Sequence, residues 1–264
     1  MDKKHRKKLL KSAVGIAVAV PTFFLFLNGC VADKVIFQPP SRHLFTVPLI
    51  YLEVEPGLRI ALRYLPPAGN GSLVILYSHG NAEDLSYMEN YLQEFRFRGY
   101  GVAAYDYEGY GQSDGKPSEA NAYRDIERVY RFLTDEEKIA PERIVIYGTS
   151  VGSGPACYLA EKVPAAALVL EAPFTSAFSV INLGWLPGDR FPNLRRIGNI
   201  RMPVLIIHGD RDSVVPFSHG KELYDKANEP KKFYHVKGAG HNNIHPTAGE
   251  EYWSVLSGYL SEKR

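Results

Sequence analysis

Gly148-Thr149-Ser150-Val151-Gly152 constrains this chain more than any other stretch, because of what flanks it. Before it runs Arg143-Ile144-Val145-Ile146-Tyr147, short and β-branched, which reads as a buried strand. After it, Ser153 to Lys162 reads as a helix with a small-residue face. A strand that turns into a helix over Gly-x-Ser-x-Gly holds its serine in a strained backbone conformation. The glycines remove Cβ atoms that would collide with strand and helix. The serine hydroxyl is then exposed at a helix N-terminus, where free N–H groups favour developing negative charge. A Gly-rich phosphate loop is the competing reading, but the chain has no Gly-x-Gly-x-x-Gly and no Walker lysine.

Around this turn, apolar runs of strand length alternate with helical patterns. Strands are predicted at Val47–Val54, Arg59–Tyr64, Leu73–Tyr77, Gly101–Tyr105, Ile144–Tyr147, Leu168–Glu171, Val204–His208 and Lys232–Val236. Helices are predicted at Asp84–Phe97, Ala120–Leu133, Ser150–Lys162, Phe217–Asn228 and Glu250–Ser261. Such alternation gives an α/β fold, a mostly parallel eight-stranded sheet with helices on both faces. In Ala120–Leu133 the period sets Ala122, Ile126, Val129, Tyr130 and Leu133 inside, with Arg124, Asp125, Glu127 and Arg128 mostly outside. Residues 45–264 are expected to form this domain, with 172–202 as a small lid or binding loop. That stretch holds Phe174, Phe178, Trp185 and Leu186, which could wall a site beside Ser150; the alternative is a surface-packed helix with Trp185 in the core.

A serine needs a base to take its proton, and the base needs an acid to orient it. In parallel sheets these groups gather in loops at the carboxyl ends of strands. His241 follows the last predicted strand, in Gly238-Ala239-Gly240-His241, while His245 is followed directly by Pro246. Asp210 and Asp212 both follow the strand ending at His208, and position alone leaves the two open. His79 and His208 read as strand-end histidines with structural hydrogen bonds. A metal site from His241, His245, Asp210 and Asp212 is disfavoured, because glycines and a proline rather than a helix carry the histidines. No metal or organic cofactor is called for. Two N–H donors should hold an oxyanion: that of Val151, next to the serine, and that of Asn81 in the loop after the third strand.

The N-terminus reads separately. Lys3, Lys4, Arg6, Lys7, Lys8 and Lys11 precede an apolar run from Ala13 to Leu27. This has the layout of a secretory signal over residues 1–30. Leu27-Asn28-Gly29-Cys30 resembles a bacterial lipobox, in which Cys30 would carry lipid and begin the mature chain. An uncleaved anchor is the rival, since Ser12 to Ala32 has no charge. Both readings hold the protein at the cell envelope, with the domain outside the cytoplasm. Residues 31–44, with Pro39-Pro40, read as a linker. Beyond residue 12 the chain carries 25 basic and 28 acidic side chains and no basic stripe, which argues against a nucleic-acid partner. Cys157 reads as a small buried side chain.

Six ordered segments together resemble a known family. They are His79-Gly80-Asn81-Ala82, Asp106-Tyr107-Glu108-Gly109-Tyr110-Gly111-Gln112-Ser113, Gly148-Thr149-Ser150-Val151-Gly152, Glu171-Ala172-Pro173-Phe174-Thr175-Ser176, and the stretches around Asp212 and His241. The chain is similar to α/β hydrolases of the serine-aminopeptidase and monoacylglycerol-lipase type, nearest the branch of the α/β-hydrolase-domain depalmitoylases and their bacterial relatives. Glu108 stands where an arginine is common in such relatives. The resemblance favours Asp212 over Asp210 and implies a Ser150, Asp212, His241 triad. It further implies a serine hydrolase acting on a small-molecule acyl ester or thioester, and the pattern of residues 1–30 adds a membrane tether at the N-terminus. A peptidase using the same machinery, and a non-catalytic binding lipoprotein, are the alternatives.

Overall fold

The computed structural model describes residues 32–41, 47–69, 71–185 and 188–261. Eight strands form one sheet: β1 (Ile50–Glu55), β2 (Leu58–Leu65), β3 (Val74–Ser78), β4 (Gly101–Tyr105), β5 (Ile144–Thr149), β6 (Ala167–Glu171), β7 (Val204–Gly209) and β8 (Lys231–Val236). Their order is β1-β2-β4-β3-β5-β6-β7-β8, and from β4 to β8 every neighbouring pair is parallel. β1 and β2 make an antiparallel hairpin that joins β4 antiparallel. This is the α/β fold that the alternating pattern predicts.

The period of two explains why the central strands read as unbroken apolar runs. In β5, Val145 and Tyr147 enter one apolar layer while Ile144 and Ile146 enter the other. The first layer is closed by α2 (Leu85–Phe97) and α7 (Glu250–Ser261), through Leu85, Leu92, Phe95, Trp253 and Leu256. The second is closed by α3 (Glu119–Arg131), α4 (Ser153–Lys162), α5 (Asn193–Ile197) and α6 (Phe217–Lys226). α2 starts where Asp84 accepts the Ser86 N–H, and α3 where Ser118 accepts that of Asn121, both ordinary N-caps.

Three expectations change. Asp125, placed outside by the helical period, is wholly buried, because its Oδ2 accepts the Glu108 N–H and so fixes the loop after β4. Glu108, in the same loop, is buried and ion-paired with Arg124. The lid stretch is a short turn at Phe178–Ile181 followed by α5. Phe174 and Phe178 pack inward, whereas Trp185 is 77% exposed; Leu186 lies outside the described residues. Finally, residues 32–41 are no free linker. A helical turn, α1, covers residues 32–36, and Phe37 is buried against the domain. Phe37 seats the segment among the rings of Tyr107, Tyr110 and Phe191, while Val35 stays exposed. Cys30 and the apolar run before it lie outside the described residues. No helix among the described residues is long and apolar enough to cross a membrane.

Candidate active site

The β5–α4 turn delivers Ser150. Its φ of +51° is one that L side chains rarely adopt. A Cβ on Gly148 would lie 2.4 Å from the Gly152 carbonyl oxygen, and one on Gly152 would lie 2.1 Å from that of Ser78. Only glycine lets β5, β3 and α4 approach so closely, and that approach keeps Ser150 at the apex.

The loops after β7 and β8 bring Asp212 and His241 to this apex. His241 Nε2 is 2.9 Å from Ser150 Oγ, and Nδ1 is 2.7 Å from Asp212 Oδ2. An ionised carboxylate only accepts, so Nδ1 carries the proton and the Nε2 lone pair faces the serine hydroxyl. Asp212 Oδ1 accepts the N–H groups of Val214 and Val215 at 2.9 and 2.8 Å. Burial acts to raise the Asp212 pKa, but hydrogen bonds from His208 and His241 outweigh it and hold the carboxyl well below the usual range. The side chains of Ser150, His241 and Asp212 thus form one hydrogen-bonded line.

Of the position-based alternatives, Asp210 is turned away, accepting the Gly238 N–H and pairing with His235. His245 packs its ring against Tyr91, Tyr252 and Trp253. Among the described residues no group of three or more acidic, His or Cys side chains could hold a metal ion. His79 is buried, with Nδ1 2.7 Å from the Gly80 oxygen, and burial lowers its pKa to about 4. Cys157 is a free buried thiol, which burial pushes up.

Sequence reasoning missed how much lies close by. His208 Nε2 sits 3.0 Å from the Val215 oxygen and 3.3 Å from Asp212 Oδ2, so its N–H is shared between two acceptors. Its place at a strand end gave no hint that it would touch the acid. A cavity of about 660 Å³ opens at Ser150. One part of its wall is apolar, with Ile36, Phe174, Phe178, Val180 and Val215; another is polar, with Tyr77, Glu83, Tyr91, Thr149 and Glu171. Glu171 Oε2 accepts from the phenols of Tyr147 and Tyr252, both at 2.7 Å. Burial raises the Glu83 pKa, while the Gly80 N–H it accepts opposes the rise. Asn81 and Val151 also line the cavity.

Residues 70–195 match the profile of the serine aminopeptidase S33 family. The chain is 37% identical over 221 residues to human α/β hydrolase domain-containing protein 17B, covering 81% of this chain and 75% of the human protein. It is 39% identical over 191 residues to the α/β hydrolase domain-containing protein aho-3 of Caenorhabditis elegans, covering 70% and 57% of the two chains. Among solved structures, a Pyrococcus furiosus esterase superposes with a TM-score of 0.71 at 20% identity, over 85% of this chain and 99% of that one. The esterase domain of a Rhodothermus marinus protein gives 0.62 at 20%, over 81% and 100%. At such identities these two structures speak for the fold alone.

Proposed function

Because the chain belongs to the family of α/β hydrolase domain-containing protein 17B and is a serine hydrolase, we propose that Ser150, His241 and Asp212 cleave carboxylic esters and thioesters through an acyl-enzyme. Ser150 Oγ attacks the acyl carbonyl while His241 Nε2 takes its proton. The oxyanion is held by the N–H groups of Asn81 and Val151. His241 then gives the proton to the departing alkoxide or thiolate, and water repeats the sequence to release the acid. The observation that carries this reading is the 2.9 and 2.7 Å line from Ser150 through His241 to Asp212. The apolar wall suits an acyl chain. Each buried methylene is worth about 0.8 kcal/mol, roughly fourfold in efficiency. The gain should stop where the chain passes the half-exposed rim at Val35, Ile181 and Val214.

Peptidase action on substrates with a free amine is a second reading, favoured by one observation. Glu83 and Glu171 both line the cavity, and no Lys or Arg is among its described lining residues. A panel of neutral esters, thioesters and aminoacyl amides separates the two. Ester hydrolysis rising over short acyl chains, then levelling, is the expected result; a preference for aminoacyl amides would establish the peptidase.

Membrane tethering through residues 1–30 belongs to the same proposal and rests on their charge and apolar pattern. The native protein extracted from membranes is expected to have the mass of a chain that begins at acylated Cys30; an intact Met1 start would replace lipidation by an uncleaved anchor.

A further inference from the structure

Residues 32–38 precede the first strand, yet Val35, Ile36 and Gln38 line the cavity that holds Ser150. Three sets of contacts fasten them. Phe37 is 3% exposed and meets Tyr107, Tyr110 and Phe191 edge-on, with ring centres 6.4, 6.3 and 5.8 Å away. Arg190 Nε lies 3.3 Å from Asp33 Oδ1. The third is the Asn81 carboxamide. Its Nδ2 donates to the Ile36 oxygen at 2.5 Å, and its Oδ1 accepts from the Gln38 N–H at 2.8 Å and from the Tyr110 hydroxyl at 2.7 Å. The Gln38 N–H also reaches the Tyr110 oxygen at 2.9 Å, so strap, phenol and carboxamide close a ring of hydrogen bonds.

We propose that residues 32–38 are a positioning strap that, through the Asn81 side chain, sets the oxyanion N–H of Asn81. The inference rests on the hydrolase reading of Ser150. Oδ1 and one N–H of the carboxamide are engaged by the strap and Tyr110, and the group assigned to the oxyanion is the backbone N–H of Asn81. The next residue, Ala82, has a φ of +56°, and such a turn persists only where its surroundings over-determine it. Oxyanion donors act only within about 2.7–3.1 Å of the charge, and a misplacement of about an ångström can cost about 100-fold. Phe37 and Tyr110 are not among the cavity's lining residues, so their influence runs through Asn81 and not through substrate contact.

The test uses the full-length protein in detergent. Tyr110→Phe keeps the ring and deletes only the hydroxyl. It should lower kcat by about tenfold, leave KM within about twofold, and weaken binding of a trifluoromethyl ketone, whose serine adduct carries the oxyanion, by the same factor as kcat. Asn81→Ala should cost about 100-fold, and the double variant should be little worse than Asn81→Ala alone, because the Tyr110–Asn81 contact is already absent there. A Tyr110→Phe kcat within about twofold of wild type, or additive losses, overturns the strap. Failure of the hydrolase reading looks different: the wild-type protein would neither react with a fluorophosphonate nor bind the ketone, and both readings would fall.

Discussion

Replacing Ser150 by alanine is expected to lower ester turnover by about 10⁴–10⁶-fold, while leaving the melting temperature close to that of wild type. The size of the loss follows from the loss of the covalent route. The Asn81 and Val151 N–H groups and the apolar wall would remain, and they supply what residual acceleration persists. The hydroxyl adds little to packing, since it sits at the apex of the β5–α4 turn and its recorded partner is His241 Nε2. Alanine also tolerates the φ of +51° about as well as serine, so the backbone strain is unchanged. Steady-state kinetics on the purified variant, with a thermal melt beside them, make the check. Turnover above about 1% of wild type, well outside the expected loss, would remove Ser150 from the nucleophile's role.

The second large effect belongs to the acid. Asp212→Asn should reduce kcat by about 10⁴-fold, since an amide can present an N–H to His241 Nδ1 and so favour the tautomer whose Nε2 cannot accept the serine proton. Oδ1 would still accept the Val214 and Val215 N–H groups, so the turn should survive. Asp210→Asn supplies the contrast. Asp210 bonds to the Gly238 N–H and to His235 and makes no recorded contact with His241, so its loss should change kcat by less than about threefold. Comparing kcat for the two variants decides between them, and a larger loss in Asp210→Asn would reverse the assignment.

Most of the frame was legible because it is written in local patterns. The β-branched runs at Ile144–Tyr147 and Val204–His208 need both faces covered, and glycine at 148 and 152 announces the turn before any contact is known. Chain order placed an acid after β7 and a histidine after β8. Position alone could not separate Asp212 from Asp210, because the difference lies in which way a turn of a few residues faces. What escaped the sequence depends on contacts between distant segments. Asp125 breaks the helical period because a loop N–H needs its carboxylate. Residues 32–38 look like a linker until Asn81, some 43 residues further on, takes up their backbone polar groups. Glu171 gives no sign in sequence that it lines the cavity, and Trp185, the largest side chain of the lid stretch, turns outward.

In the proposed mechanism the acyl group passes through Ser150. Rapid acid quench of the protein during turnover of a slowly deacylated ester, followed by peptide mass mapping, tests it most directly. One added acyl mass is expected on the peptide containing Gly148-Thr149-Ser150-Val151-Gly152, absent from Ser150→Ala. Steady ester turnover with that peptide unmodified, or with the acyl group on another side chain, would contradict it.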